Sequence, residues 1–117
     1  MAVRQDWPVK KGADWIWNLT ATDGDGTIID LTSATIKFRI SSLTGTTVDT
    51  RQTGGSGVAL VTATLGTYTV TVTPANQTSA SIAASTNYKY EIQITTGAGT
   101  IYDQMEGVLK VEPTLFT

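Results

Sequence analysis

The chain contains no histidine and no cysteine. Histidine is the side chain most often used for proton transfer near neutral pH, and cysteine supplies thiolate ligands, disulfides and nucleophiles. Their absence argues against most classes of enzyme and against metal sites built from imidazole or thiolate groups. It also suits a protein made in a reducing compartment.

Charged residues and long apolar runs are also scarce. Charged residues make up 15% of the chain, against about 25% in an average soluble domain, and the net charge of -2 offers no basic surface for nucleic acid. The apolar runs are far shorter than the roughly 20 residues of a membrane-spanning helix. Residues 1–7 lack the apolar segment of a secretory signal. We therefore expect no nucleic-acid partner, no membrane and no export by that route.

What the chain does hold is threonine that alternates with apolar residues. Trp15 and Trp17 share one face of a predicted strand, and Tyr68 and Val70 share one face of another. Alternation with a period of two is typical of an antiparallel sheet with one buried face. A hairpin is predicted over residues 87–112, because two such segments flank a glycine-rich turn.

The connections complete the predicted architecture. Segment 41–57 is rich in glycine, serine and threonine, and we predict an exposed, mobile connection with at most a short strand near Val48. Thr73 should cap one helical turn that begins at Pro74. Gly107 indicates a bulge or a close backbone approach within the last strand.

Together these segments predict one all-β domain. About seven to eight short strands with turns between them are the pattern of a two-sheet antiparallel β-sandwich. In this scheme residues 1–12 are an N-terminal arm and first strand, and residues 13–117 are the sandwich.

Asp23, Asp25 and Asp30 are the candidate metal ligands. An EF-hand loop needs oxygen ligands at its first, third and fifth positions and a glutamate at the twelfth. Counted from Asp23, these last two positions hold Thr27 and Ala34, so the pattern fails after two ligands. Asp-Gly pairs are favoured in turns that need a positive φ. We predict a turn between strands and no metal.

The three tryptophans could form a platform for sugar stacking, or they could fill the core. Trp15 and Trp17 lie two positions apart on a strand and so share its buried face, which favours the core. Trp7 precedes Pro8 in the N-terminal arm, and we predict that it is exposed. Together with Arg4 in the same arm, it is the predicted contact with a partner.

Asp103 and Glu106 could suggest the paired carboxylates of a glycosidase. Three positions apart on a strand, they point to opposite faces unless Gly107 marks a nearby bulge. We predict solvated surface here, and no catalytic or cofactor-binding residue in the chain.

Two long stretches hold an ordered set of motifs, KKGADWIWNLTATDGDGTIIDLTSATIKFRIS and YKYEIQITTGAGTIYDQMEGVLKVEPT. Gly12 follows a short arm, and an Asp-x-x-Gly turn at 23–26 precedes Ile-Asp-Leu-Thr at 29–32. A Tyr-x-Tyr-Glu-Ile strand lies at 88–92, and Glu-Gly-x-Leu-x-Val-x-Pro closes the series at 106–113. In this order the motifs resemble the small immunoglobulin-like β-sandwich proteins of tailed bacteriophages, including the N-terminal domain of phage upper baseplate proteins.

The resemblance has two departures. The family pattern has glycine where this chain has Ser33, and segment 41–57 has no counterpart in it.

The resemblance implies an immunoglobulin-like fold and a non-enzymatic structural protein of the phage virion, made in the host cytoplasm. The expected place is the tail or baseplate, as an adaptor or peripheral decoration domain. The alternatives are a capsid decoration protein on the head and a carbohydrate-binding module for host recognition. Expected partners are other virion proteins and copies of the chain itself, or a host-surface glycan for the last alternative.

Overall fold

The computed structural model describes residues 3–55 and 57–113. The first residues of the predicted arm, Ser56 in the predicted connection and the end of the predicted sandwich, residues 114–117, lie outside these ranges. No helix in the described ranges is long and apolar enough to cross a membrane.

The described residues form nine β-strands in two sheets that enclose one core. The strands are β1 (Val3–Arg4), β2 (Trp7–Lys10), β3 (Trp15–Thr20), β4 (Thr35–Ser41), β5 (Thr47–Gln52), β6 (Val58–Thr62), β7 (Thr67–Val72), β8 (Thr86–Thr95) and β9 (Ile101–Glu112), with a 3-10 turn at Ala63–Leu65 and helix α1 at Pro74–Ser79.

The two sheets have different sizes. The larger sheet has the order β1, β9, β8, β4, β5, with β2 also paired to β9, and the smaller sheet has the order β3, β7, β6. The predicted all-β, immunoglobulin-like two-sheet sandwich is confirmed. Its strands pair antiparallel, except that β1 and β2 both run parallel to β9. Because β1 and β2 pair with β9 in one continuous register, they act as a single interrupted strand. Counted in this way the domain has eight strands, in agreement with the predicted seven to eight.

The core consists of alternate residues from both sheets. In β4, Ile36, Phe38 and Ile40 have no exposed surface, whereas Lys37 and Arg39 between them face solvent. Burial of one face of each strand removes apolar surface from water and is the main stabilising contribution. The same holds for the inner faces predicted from the sequence, since Trp15, Tyr68 and Val70 are all buried.

The N-terminal strand is interrupted because one carbonyl turns inward. The Gln5 carbonyl accepts a hydrogen bond from the Tyr90 hydroxyl inside the sandwich. It passes so close to Gly107 that a Cβ atom there would lie 2.0 Å from the Gln5 oxygen. The Val108 N–H of β9 is bonded by a side chain in place of a backbone carbonyl, since Asp6 Oδ1 accepts it at 3.0 Å. The close backbone approach predicted at Gly107 is confirmed.

Two buried glutamines hold the segments at the two ends of β3. Gln77 accepts the Gly12 N–H at 2.8 Å and donates its Nε2 to the Ala13 carbonyl at 2.7 Å. Gln104 accepts the Thr22 N–H at 3.0 Å and donates to the Thr22 carbonyl at 2.8 Å. Each amide thus satisfies both of its polar ends, as buried polar groups require. As a result β3 is fixed in place before and after its six residues.

Replacing Gln77 by alanine is expected to lower the free energy of unfolding by about 2 kcal/mol, because two hydrogen bonds and the packing of a buried side chain are lost. Urea unfolding followed by circular dichroism measures the change. Gln52→Ala, at an exposed position, should shift stability by less than about 0.5 kcal/mol. Equal urea midpoints for the two variants would contradict a stabilising role of the Gln77 hydrogen bonds.

The connection at 41–57 holds more structure than the sequence predicted. β5 pairs with β4 after a turn in which the Ser42 N–H donates to the Thr46 carbonyl at 2.8 Å. The predicted helical turn is confirmed, and Thr73 caps it by accepting the Asn76 N–H at 3.2 Å. The hairpin predicted over residues 87–112 is confirmed by the antiparallel pairing of β8 with β9.

Ser33 has a φ of 62°, in the left-handed region that favours glycine. Glycine is also the residue that the resembled family pattern has at this position. We therefore expect Ser33→Gly to raise the free energy of unfolding by about 0.5 kcal/mol, after the higher chain entropy of glycine in the unfolded state is subtracted. Thermal unfolding measures it. The same change at Ser41, in β4, should instead lower the free energy of unfolding by roughly 0.5–1 kcal/mol. A lower free energy of unfolding in both variants would contradict the prediction.

Candidate functional site

The prediction that Trp7 is an exposed partner contact is wrong. Its side chain is 5% exposed, and its ring stacks between those of Trp17 and Tyr90, with both centroid distances at 4.0 Å. The reason is the parallel pairing of β2 with β9, which turns Trp7 into the core. A side chain held in this way cannot reach a partner without leaving the core.

The core placement predicted for the other two tryptophans is confirmed. Trp15 is 3% exposed, and its Nε1 donates to the Lys10 carbonyl at 2.8 Å. Trp17 is half-buried and packs against Trp7 and Phe38. The described residues therefore present no pair of exposed indole rings on which a sugar could stack.

Arg4 is exposed and borders a shallow cavity of about 290 Å³ on the outer face of the larger sheet. Charges of both signs cross this face in one row, since Arg39 lies opposite Glu91, Glu91 opposite Glu106, and Glu106 opposite Arg4. The two outer pairs of this row are of opposite charge and partly neutralise each other, whereas Glu91 and Glu106 in the middle are like charges directly opposite. The role of Arg4 as a partner contact stays a prediction.

The Asp-Gly segment forms a turn, as predicted. The Gly26 N–H donates to the Asp23 carbonyl at 3.0 Å, and Asp23 Oδ1 accepts the N–H groups of Asp25 and Thr27 at 2.9 and 3.0 Å. An Asx turn of this kind is what an aspartate does at such a position. Beyond the turn, pairing is limited to a single bridge between Thr22 and Ile28.

Asp30 serves a separate local turn. Its Oδ1 accepts the hydroxyl of Thr32 at 2.6 Å and the Thr32 N–H at 2.9 Å. The side-chain hydrogen bond first, and the backbone one second, lower the pKa of the Asp30 carboxyl. Across the described residues no group of three or more His, Cys, Asp or Glu side chains is arranged to hold a metal ion.

Calcium is therefore expected to leave the melting temperature of the protein unchanged, because a ligand that binds only the native state would raise it by mass action. A calorimetric scan with and without millimolar CaCl₂ tests this, with MgCl₂ at equal ionic strength as the control. A rise specific to calcium that is lost in Asp23→Asn would contradict the turn interpretation.

Asp103 and Glu106 lie on the same outer face, contrary to the simple alternation. A shift in the pairing of β8 with β9 leaves Gln104 as an extra residue, so that Asp103 pairs with Gln93 and Glu106 with Glu91. A bulge near Gly107 was the predicted exception to this alternation. A bulge does occur, but it lies at Gln104. Both carboxylates are exposed.

The outer face of the smaller sheet carries no charged side chain. Residues 15–22 and 52–88 contain no Asp, Glu, Lys or Arg, and they supply all three strands of this sheet. We call this surface the uncharged face, and its residues are Ile16, Asn18, Thr20, Ala59, Thr62, Thr67, Thr69 and Thr71.

Three of the four sheet edges carry features that discourage pairing with another chain. Proline, charged side chains and bulges are the usual protective devices. In the larger sheet, the β2 edge has Pro8 and Lys10, and the β5 edge has an ion pair of Asp49 and Arg51 at 2.8 Å. In the smaller sheet, the pairing of β6 is broken by a bulge at Val61.

The remaining edge, β3, has none of these devices. It pairs with β7 over six consecutive residues without a shift. The Ala21 N–H continues this ladder to the Gly66 carbonyl at 2.7 Å. Because an antiparallel ladder alternates, the backbone groups of Ile16, Asn18 and Thr20 point away from β7, and no strand of the described residues covers them.

The β3 edge was not predicted from the sequence, although part of its signal was present there. The long charge-free segments are visible in the sequence, but the position of β3 at the end of a sheet is not.

No family model and no curated protein matches the chain. Among solved structures, the extracellular domains 3–5 of Drosophila OTK are similar over 91% of this chain, with 20% sequence identity and a TM-score of 0.40, and the chain spans 32% of that structure's length. Murine CRIg is similar over 97% of this chain and 92% of its own, with 10% identity and a TM-score of 0.41. Both similarities are too distant to carry information about function.

Proposed function

We propose that this chain is a non-enzymatic structural protein of a bacteriophage virion, which acts in the tail or baseplate as an adaptor or peripheral decoration domain. The order of motifs at 12–32 and 88–113 supports the virion assignment. The lack of histidine and cysteine supports a role without catalysis.

The observation that carries the proposal is that the two sheets differ in the charge of their outer faces and in the protection of their edges. The larger sheet has a charged outer face and guarded edges, whereas the smaller sheet has the uncharged face and the bare β3 edge. Charges retained at a contact must be desolvated or paired, so a surface without them is cheaper to bury. A protein that must stay free of neighbours would not keep such an edge. Docking through the smaller sheet is therefore the function that this geometry supports best.

A capsid decoration protein is the alternative, because an uncharged surface and a bare edge suit a head lattice equally well. A carbohydrate-binding module receives less support, since Trp7 and Trp15 are buried and Trp17 is half-buried.

Electron microscopy of phage particles that carry a gold-labelled copy of the chain tests the proposal. Label at the tail or baseplate is the expected result. Label spread over the head would favour the capsid alternative, and particles without label would overturn the virion assignment. An untagged phage preparation treated with the same gold reagent is the control.

A further inference from the structure

We infer that two copies of this chain pair through their β3 edges, antiparallel and around a two-fold axis at Asn18, so that two three-stranded sheets become one continuous sheet. This inference deepens the proposed function and rests on it for the claim that the smaller sheet docks. It names the partner as a second copy of the chain.

The register follows from the free backbone groups. Ile16, Asn18 and Thr20 are the residues whose N–H and C=O groups point away from β7, and Asn18 is the middle one. A two-fold axis at Asn18 places Asn18 opposite itself and Ile16 opposite Thr20. All three positions then form hydrogen-bonded pairs, with about six N–H···O bonds across the joint. Any shift along the edge leaves some of these groups unpaired.

The side chains fit the same arrangement. An even register keeps outward residues opposite outward residues, so the buried faces of both sandwiches stay buried. The strand from Trp15 to Thr20 carries no charge, so no like charges meet across the axis.

A second copy fits this edge completely, because its own three outward positions are equally spaced about Asn18 and all pair with these three in the antiparallel register.

The edge is also preorganised. The amides of Gln77 and Gln104 hold the segments before and after β3. A strand that is already fixed in place loses little conformational entropy on pairing, which lowers the cost of association. In a particle, high local concentration would strengthen the contact further.

A cysteine variant tests the arrangement directly, because the chain has no cysteine of its own. Residues directly opposite in a hydrogen-bonded pair have Cα atoms about 5.5 Å apart, within the range of a disulfide. Asn18→Cys should therefore form a disulfide-linked dimer under mild oxidation. The matched control is Thr69→Cys, which lies beside Asn18 on the same face but in the central strand β7. It should stay monomeric, and equal cross-linking of both variants, or of neither, would overturn the inference.

Charge variants supply a second measurement in solution. The unmodified chain should show a concentration-dependent dimer in analytical ultracentrifugation, and Asn18→Lys should lose it by placing two like charges at the axis. Mixing Asn18→Lys with Asn18→Asp should restore a dimer, whereas Thr69→Lys should leave the original dimer intact. A monomer at all concentrations, or loss of the dimer in Thr69→Lys with retention in Asn18→Lys, would overturn edge pairing.

The two proposals fail in different ways. A monomeric chain that is nevertheless labelled in the tail would overturn self-pairing and leave the virion assignment standing. A β3-linked dimer that is absent from particles would overturn the virion assignment and leave self-pairing standing. Cross-linking of Asn18→Cys in particles to a different virion protein would also overturn pairing between copies.

Discussion

Replacing Trp7 by alanine is expected to lower the free energy of unfolding by about 4 kcal/mol, the usual range for loss of a buried tryptophan being roughly 3–5 kcal/mol. The indole fills the space between Trp17 and Tyr90, and both stacking contacts disappear with it. For a domain whose total stability is about 5–15 kcal/mol, this is a large share.

Urea unfolding measures this loss, and the tryptophan emission of the native state supplies a second readout. Without Trp7, the half-buried Trp17 gains contact with water, so its emission should shift to longer wavelength. Leu65→Ala is the control, because Leu65 is 58% exposed and lies outside the core. A similar small effect for both variants would show that Trp7 does not occupy the core.

The second large effect is expected at Gly107, where alanine should cost about 3 kcal/mol, at the upper end of the range for overpacking. The added Cβ would lie 2.0 Å from the Gln5 carbonyl oxygen and 3.1 Å from the Tyr90 ring. The Gln5 contact is with backbone, so the N-terminal strand would have to move. The Tyr90 hydroxyl would then lose its acceptor inside the sandwich.

The matched control is Gly24→Ala, because a Cβ atom at Gly24 would meet nothing within 4 Å. The double variant Trp7→Ala with Gly107→Ala adds a sharper test. Both changes undock the same strand, so their combined cost should be clearly less than the sum of the two. Full additivity, or an unchanged melting temperature in Gly107→Ala, would contradict the account of the interrupted strand.

Burial also sets the protonation of the tyrosine in this contact. Desolvation, with a smaller contribution from the Asp6 carboxylate, raises the pKa of Tyr90 well above its usual value. The hydroxyl therefore stays protonated, and so remains a donor to Gln5, to higher pH than an exposed tyrosine would.

Local patterns in the sequence predicted a large part of the fold. The alternation in β3 and β7 identified their inner faces, and Thr73 with Pro74 identified the start of α1. Such features depend on neighbours within a few positions along the chain, so they can be recognised without the fold. β5 was underestimated, because both of its faces are partly exposed and it lacks the alternation of a half-buried strand.

The position of Trp7 could not be obtained in this way. In isolation, a tryptophan before a proline near the chain terminus resembles a loose arm. Its burial depends on β9, a strand about one hundred positions away, and on the space left by Gly107. The same holds for the bulge at Gln104, which brings Asp103 and Glu106 to one face.

The sequence by itself determined an all-β chain with uncharged segments at 15–22 and 52–88, because composition and alternation are properties of the chain alone. Only the tertiary structure decided that these segments form one sheet, that its outer face is free of charge and that β3 is its bare edge. An edge is defined by the strand that is missing beside it, and long-range pairing alone determines which strand that is.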